Sequence, residues 1–227
     1  WLEFRRVLFR SVTAFVFDPL GQKTPAQYLL RGTQAWIESA QACGLHLISS
    51  HDRDPRKTST FGVGELMLDA RRHGVTKITI GLGGSGTNDG GAGMLAAIGA
   101  TADAALTAGG SALSQISEID LSQAVENFAQ IEIVVASDVD NPLLGLRGAT
   151  AIFAPQKGAD DFAVMELEGA LENFSKVCGR RSDGKDPAVA LGAGAAGGLG
   201  YGLMLLGATR VAGIETVLEI VELDRQI

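Results

Sequence analysis

The 227-residue chain carries 26 acidic and 19 basic side chains, for a net charge of −7, and 46% of its residues are apolar. Lys and Arg are scattered with no basic stripe, which argues against a nucleic-acid partner and for a soluble, cytoplasmic protein with a substantial core. Cys43 and Cys178 stand far apart with no C-x-x-C, so neither a disulfide framework nor a zinc site is expected.

The chain opens on Trp1, and residues 1–11 set three arginines among Leu, Val and Phe without the apolar stretch and cleavage site of a secretory signal. They read as a non-native leader, leaving 12–227 as one α/β domain. Residues 12–17 predict a strand, Asp18-Pro19-Leu20-Gly21 a turn, and 26–30 the partner strand. Residues 33–43 read as a helix capped by Thr33 and ended at Gly44, and 62–72 as a second helix ended by Gly74. A strand over 78–82 feeds a glycine-rich loop, which opens a helix running to about Ile98. Residues 131–136 form another strand ending near Asp138. Residues 160–177 then give a long amphipathic helix with Phe162, Met165, Leu167, Leu171 and Phe174 near helical spacing. Further helices are expected over 197–206 and 214–223. Strands interleaved with helices define an α/β fold, and the initial hairpin makes the sheet mixed, with helices flanking it. The uncharged run 187–209 is as long as a membrane span, but its seven glycines lower hydrophobicity and helix stability, and a buried packing role is expected instead.

The loop Ile80-Gly81-Leu82-Gly83-Gly84-Ser85-Gly86-Thr87-Asn88-Asp89-Gly90-Gly91-Ala92-Gly93 holds the chemistry. A strand that feeds such a turn and opens a helix leaves backbone N–H groups for an anion. The other reading is a tight turn in which glycine serves packing alone. Residues 81–86 and 192–197 both fit G-x-G-x-x-G, the basis for an NAD-binding alternative, and that double match shows how permissive the pattern is. Neither run ends in the Gly-Lys-Ser/Thr of a P-loop. Gly83-Gly84-Ser85-Gly86-Thr87 misses the G-x-S-x-G elbow at its last residue, and His46, His51 and His73 share no metal spacing.

Four strings in order are far more specific than those patterns. They are Arg53-Asp54-Pro55 with Thr58-Ser59-Thr60-Phe61-Gly62-Val63-Gly64-Glu65-Leu66; Gly83 through Leu95; Ser137-Asp138-Val139-Asp140-Asn141-Pro142-Leu143-Leu144-Gly145 running on to Phe153-Ala154-Pro155-Gln156-Lys157-Gly158-Ala159; and Gly192-Ala193-Gly194-Ala195-Ala196-Gly197-Gly198-Leu199-Gly200 with Gly213-Ile214-Glu215. Together they closely resemble the signature of the type I glycerate kinase family. Gly86, Ser137 and Phe61 stand where that family usually has Ala, Cys and Tyr. The family's Asp-Ser-Phe-Lys-Gly, Asp-Gly-Gly-Glu-Gly and Thr-Gly-Glu-Gly stretches have no counterpart here. The resemblance therefore implies a central portion, mostly the inner domain of a two-domain kinase.

The resemblance implies transfer of the γ-phosphoryl group of ATP to D-glycerate with Mg²⁺, and favours 2-phosphoglycerate as product. A catalytically incomplete substrate-binding fragment is the alternative. Phosphoryl transfer asks for positive groups on the phosphates and a carboxylate near the attacking hydroxyl. Asp89 and Asp138 are the candidates for metal or base work, each with a turn or capping carboxylate as its alternative reading. Lys157, which by residue type alone would read as a surface lysine, completes the catalytic set within the resemblance. Arg53 is expected to clamp a carboxylate or phosphate, Ser85 and Thr87 to donate to substrate oxygens, and Asn88 and Asn141 to bind substrate. Gly83, Gly84, Gly194, Gly197 and Gly198 are expected around phosphate, and the metal ligands stay unassigned.

Overall fold

The computed structural model describes residues 9–181 and 183–213. Residues 1–8 of the expected leader and the helix expected over 214–223 lie outside them. β1 (Arg10–Phe17) and β2 (Lys23–Arg31) form an antiparallel hairpin, and β2 pairs antiparallel with β3 (Gln34–Glu38). Alternation explains the hairpin: Val12, Ala14 and Val16 of β1 and Ala26, Tyr28 and Leu30 of β2 face the core, while Thr13, Phe15, Gln27 and Leu29 face away.

The third strand corrects the helix expected over 33–43. Ala35 and Ile37 alternate with Gln34, Trp36 and Glu38, a period of two that helix propensity had masked. Only α1 (Ala40–Cys43) is helical there, and Thr33 sits in the turn between the strands. β3 then pairs parallel with β4 (Lys77–Gly81) after α2 (Phe61–Arg72), and β4 pairs parallel with β7 (Glu132–Ala136). The intervening chain forms α3 (Ala92–Ala97), the short antiparallel pair β5 (Thr101–Ala102) and β6 (Ile119–Asp120), and α4 (Ser122–Phe128). After β7 come α5 (Ala149–Phe153), α6 (Asp161–Cys178), α7 (Ala195–Leu205) and the edge strand β8 (Thr209–Val211), parallel to β7. The main sheet is thus mixed, in the order β1-β2-β3-β4-β7-β8.

The parallel strands advance in one direction across the sheet, so right-handed crossovers deliver their helices to one face. That face carries Ile78, Ile80, Ile133 and Val135 against Val63, Leu66, Met67, Met94 and Leu95, all at most 4% exposed. Each such side chain contributes about 1.5–3 kcal/mol. α7 is apolar on every side because it is buried all round, between α3, α5 and β7. No helix among the described residues is long and apolar enough to cross a membrane. Since β3, β4, β7 and β8 all run the same way, the loops that leave their C-terminal ends converge on one edge of the sheet, where open α/β sheets bind ligands.

Candidate anion-binding active site

The loop after β4 is tied down along its length. Ser39 Oγ donates to Gly81 O (2.8 Å), Leu45 N–H to Gly84 O (2.8 Å), and Gly86 N–H to Cys43 O (2.7 Å). Thr58 Oγ donates to Gly86 O (2.9 Å). Asp89, fully buried, closes the loop onto α2 and α3. Its carboxylate accepts from Thr60 N–H (2.8 Å), Thr60 Oγ (2.9 Å), Gly91 N–H (3.1 Å) and Gly93 N–H (3.2 Å). Thr60 Oγ in turn accepts from Met94 N–H (3.0 Å). Burial pushes the Asp89 carboxyl upward, and the hydrogen bonds from Thr60, Gly93 and Gly91 oppose it.

The second glycine run packs directly on the first. Gly90 N–H donates to Gly197 O (3.0 Å), a Cβ on Gly197 would stand 2.0 Å from Thr87 O, and one on Gly198 would stand 2.7 Å from the Cα of Gly90. The start of α7 accommodates this by winding left-handed over Ala196 (φ 53°), Gly197 (φ 68°) and Gly198 (φ 88°). Gly194 is equally tight, with a would-be Cβ 2.3 Å from Pro142 O. Gly194, Gly197 and Gly198 therefore permit backbone-to-backbone contact behind the site.

Between the two glycine runs lies a cavity of about 250 Å³, lined among others by Gly83, Gly84, Ser85, Lys157, Val139 and Ala196. Lys157 is 2% exposed, and its Nζ donates to Ser85 Oγ (3.1 Å) and to Thr87 O (2.7 Å). An ammonium carries a third N–H, so one donor remains beyond those two bonds. Desolvation pushes the Lys157 amine down to about 8, against the smaller opposing influence of Cys43 and Asp89. The backbone N–H groups of Gly83, Gly84 and Ser85 meet no acceptor among the described residues. Gly84 holds φ +63°, which turns the chain there, and a Cβ on Gly83 would meet only open space. The arrangement is a compact set of N–H donors beside a buried cation, suited to an anion.

The structure brings Gly83, Gly84, Ser85 and Lys157 together at the cavity. Thr87, Asn88 and Asp89 are fully buried behind its wall, and Asn88 Nδ2 donates to Thr150 Oγ on α5 (3.1 Å). Arg53 packs its carbonyl and Cβ on Gly158, beside Lys157, and its Nε is buried with no partner among the described residues. Asn141 spends its amide on Arg147 O (2.7 Å), bracing the loop after β7. Asp138 stands apart from the cavity, exposed at the end of β7, where its Oδ1 accepts from Gly213 N–H (2.8 Å). It lines a second, larger groove of about 610 Å³ that shares Leu82 and Gly83 with the cavity and extends over Trp36 and Thr79 on the outer sheet face. Sequence reasoning missed the ties supplied by Thr58, Thr60 and Thr150. The string Thr58-Ser59-Thr60 was the available signal, since small hydroxyl residues before a helix are capping candidates. No cluster of three or more His, Cys, Asp or Glu suited to a metal occurs among the described residues.

An α/β sheet whose C-terminal edge carries a glycine-lined, lysine-floored cavity is an arrangement suited to a phosphate or carboxylate group. Residues 5–227 match the model of the glycerate kinase family, and the chain belongs to that family. It is 44% identical over 211 residues to the glycerate kinase of Halalkalibacterium halodurans, covering 90% of this chain and 55% of that protein. It is 43% identical over 223 residues to the glycerate 2-kinase of Escherichia coli, covering 94% and 58% respectively. A crystal structure from Salmonella typhimurium LT2, provisionally named glycerate kinase 2, superimposes with a TM-score of 0.89 at 39% identity, covering 96% of this chain and 60% of that one. The chain thus spans somewhat more than half the length of these three relatives.

Proposed function

We propose that the chain forms the acid- and phosphoryl-binding part of a kinase that transfers the γ-phosphoryl group of ATP to D-glycerate. The observation that carries this reading is Lys157, a lysine buried at 2% exposure beside three unpartnered loop N–H groups. Size divides the two substrates. The cavity of about 250 Å³ falls below the roughly 300–1,000 Å³ of sites for larger ligands and suits a small hydroxy acid. The adjoining groove of about 610 Å³ suits the nucleotide.

In this scheme the oxygens of D-glycerate rest on Lys157 and on the N–H groups of Gly83, Gly84 and Ser85, and one hydroxyl faces the shared wall at Gly83. That hydroxyl oxygen bonds to the γ-phosphorus, the bond to the bridging oxygen breaks, and ADP leaves. Asp138, an exposed carboxylate lining the groove that shares Gly83 with the cavity, is assigned the hydroxyl proton. Lys157 offsets the charge that develops on the transferring oxygens. Mg²⁺ usually takes one or two carboxylates plus phosphate oxygens, so Asp138, with its second oxygen unused by Gly213, fits a role in holding it. When bound, the ion would neutralise charge on the nucleotide phosphates. The likeness to the Escherichia coli glycerate 2-kinase favours the 2-phosphate product. Asp89, Thr87, Asn88 and Asn141 act by holding the loops, with Arg53 bracing the Lys157 turn.

The test is ADP release by the purified protein with ATP and Mg²⁺, with and without D-glycerate. Glycerate-dependent release that is lost in Lys157→Met supports the reading. Release that ignores glycerate, or glycerate-dependent release untouched by Lys157→Met, overturns it.

A further inference from the structure

Ala196 is the only non-glycine residue at positive φ among the described residues, at φ 53° and ψ 41°. An L-residue in the left-handed region costs on the order of 1–2 kcal/mol, and such outliers cluster at functional sites. The next two residues of that turn are glycines for a visible reason, since a Cβ at either would strike the backbone of the first glycine loop. Position 196 differs. It tolerates a side chain sterically, a glycine there would remove the strain, and the residue lines the cavity that holds Lys157 and Ser85. The methyl group thus borders the candidate site at a backbone conformation that favours glycine, and it also packs against the edge of the core.

We propose that Ala196 is a specificity-determining residue that sets the length of the acid the cavity admits. This rests on the kinase reading given above. Gly83, Gly84, Ser85, Gln156 and Lys157 bring donors to the cavity, while Leu45, Leu82, Val139, Phe153 and Ala196 supply apolar wall. With the acid's oxygens on the donors, the apolar wall faces its carbon chain. A methyl group there takes up the space that one more carbon of the substrate would need. One methylene in a close-fitting pocket changes discrimination by roughly 10–200-fold.

The experiment compares the purified protein with Ala196→Gly and Ala196→Ser, measuring kcat/KM for D-glycerate and for D-erythronate, its homologue longer by one CHOH unit, together with Tm. Ala196→Gly is expected to hold or raise Tm and to lower the glycerate-to-erythronate preference about tenfold or more. Ala196→Ser, which keeps the β-carbon and adds bulk, is expected to preserve that preference and raise KM for glycerate severalfold. An unchanged preference in Ala196→Gly overturns the proposal while leaving the kinase reading in place. A sharp fall in Tm in Ala196→Gly also overturns it, by making the methyl a packing element. If the parent protein phosphorylates neither acid, the kinase reading fails and this proposal falls with it.

Discussion

Under the proposed function, Lys157 would make anion binding pH-dependent in a range where an ordinary lysine would not. With its amine pushed down to about 8 by burial, the side chain is about 90% charged at pH 7 and about 10% charged at pH 9. A lysine at the usual value near 10.4 stays about 95% charged across that span. The other groups that bear on the amine are Cys43 and Asp89. The Cys43 thiol is itself pushed up to about 12 and stays neutral throughout. If the ammonium is the form that grips the acid, affinity for D-glycerate falls about tenfold between pH 7 and pH 9. The same shift acts on stability. The folded amine loses its proton at lower pH than the unfolded one, so the unfolded chain binds more protons between about 8 and 10.4, and stability rises with pH over that window by up to about 3 kcal/mol. Lys157→Met removes that cost at pH 7 but leaves Thr87 O without its donor, a penalty of about 1–3 kcal/mol. The two nearly cancel. Lys157→Met is therefore expected to unfold within about 2 kcal/mol of the parent while losing acid binding. Calorimetric titration of D-glycerate at pH 7, 8 and 9 and urea unfolding of both proteins are the assays. Affinity that is flat from pH 7 to 9, or that survives in Lys157→Met, refutes the reasoning.

Three further outcomes follow from the same contacts. Asp89→Asn would turn an amide donor toward N–H groups that need an acceptor, so it is expected to cost about 1–3 kcal/mol and lower the urea midpoint by about 1 M; a midpoint within error of the parent would show the brace to be dispensable. Gly197→Ala places a Cβ 2.0 Å from Thr87 O at a φ of +68°, and a loss beyond about 4 kcal/mol or failure to fold is expected by thermal melting. Asp138→Asn, at an exposed site whose bond from Gly213 the amide oxygen can keep, is expected to change stability by less than about 0.5 kcal/mol and turnover by at least about 100-fold. Normal turnover would remove Asp138 from the chemistry.

Where local pattern and tertiary contact agree, the elements were legible. The hairpin, α2, β4, β7 and α6 lie within a few residues of the expected bounds because each has one clear period and visible ends. β3 was hidden because Ala35, Trp36 and Ile37 sit among good helix formers, and its strand state comes from two neighbours, β2 and β4, that bond it on both sides. β8 is only Thr209–Val211 and owes its state to pairing with β7. At the site, glycines and a lysine could be read as an anion set, since their chemistry is intrinsic to residue type. The division of labour could not be read. Asp89 and Thr60 stand 29 residues apart, and the bonds between them, which tie the loop to α2, could not be read from spacing. Likewise, the close approach of Gly194, Gly197 and Gly198 to opposing backbone could not be read from the glycine run itself.

The most direct test of the proposed kinase activity is the phosphorus NMR spectrum of the products formed by the purified protein from ATP, Mg²⁺ and D-glycerate. A new phosphomonoester resonance is expected, coupled to the proton on the second carbon of glycerate and absent without the acid or in Lys157→Met. A spectrum showing only ATP, or only ADP and inorganic phosphate, from protein shown to be folded would contradict it.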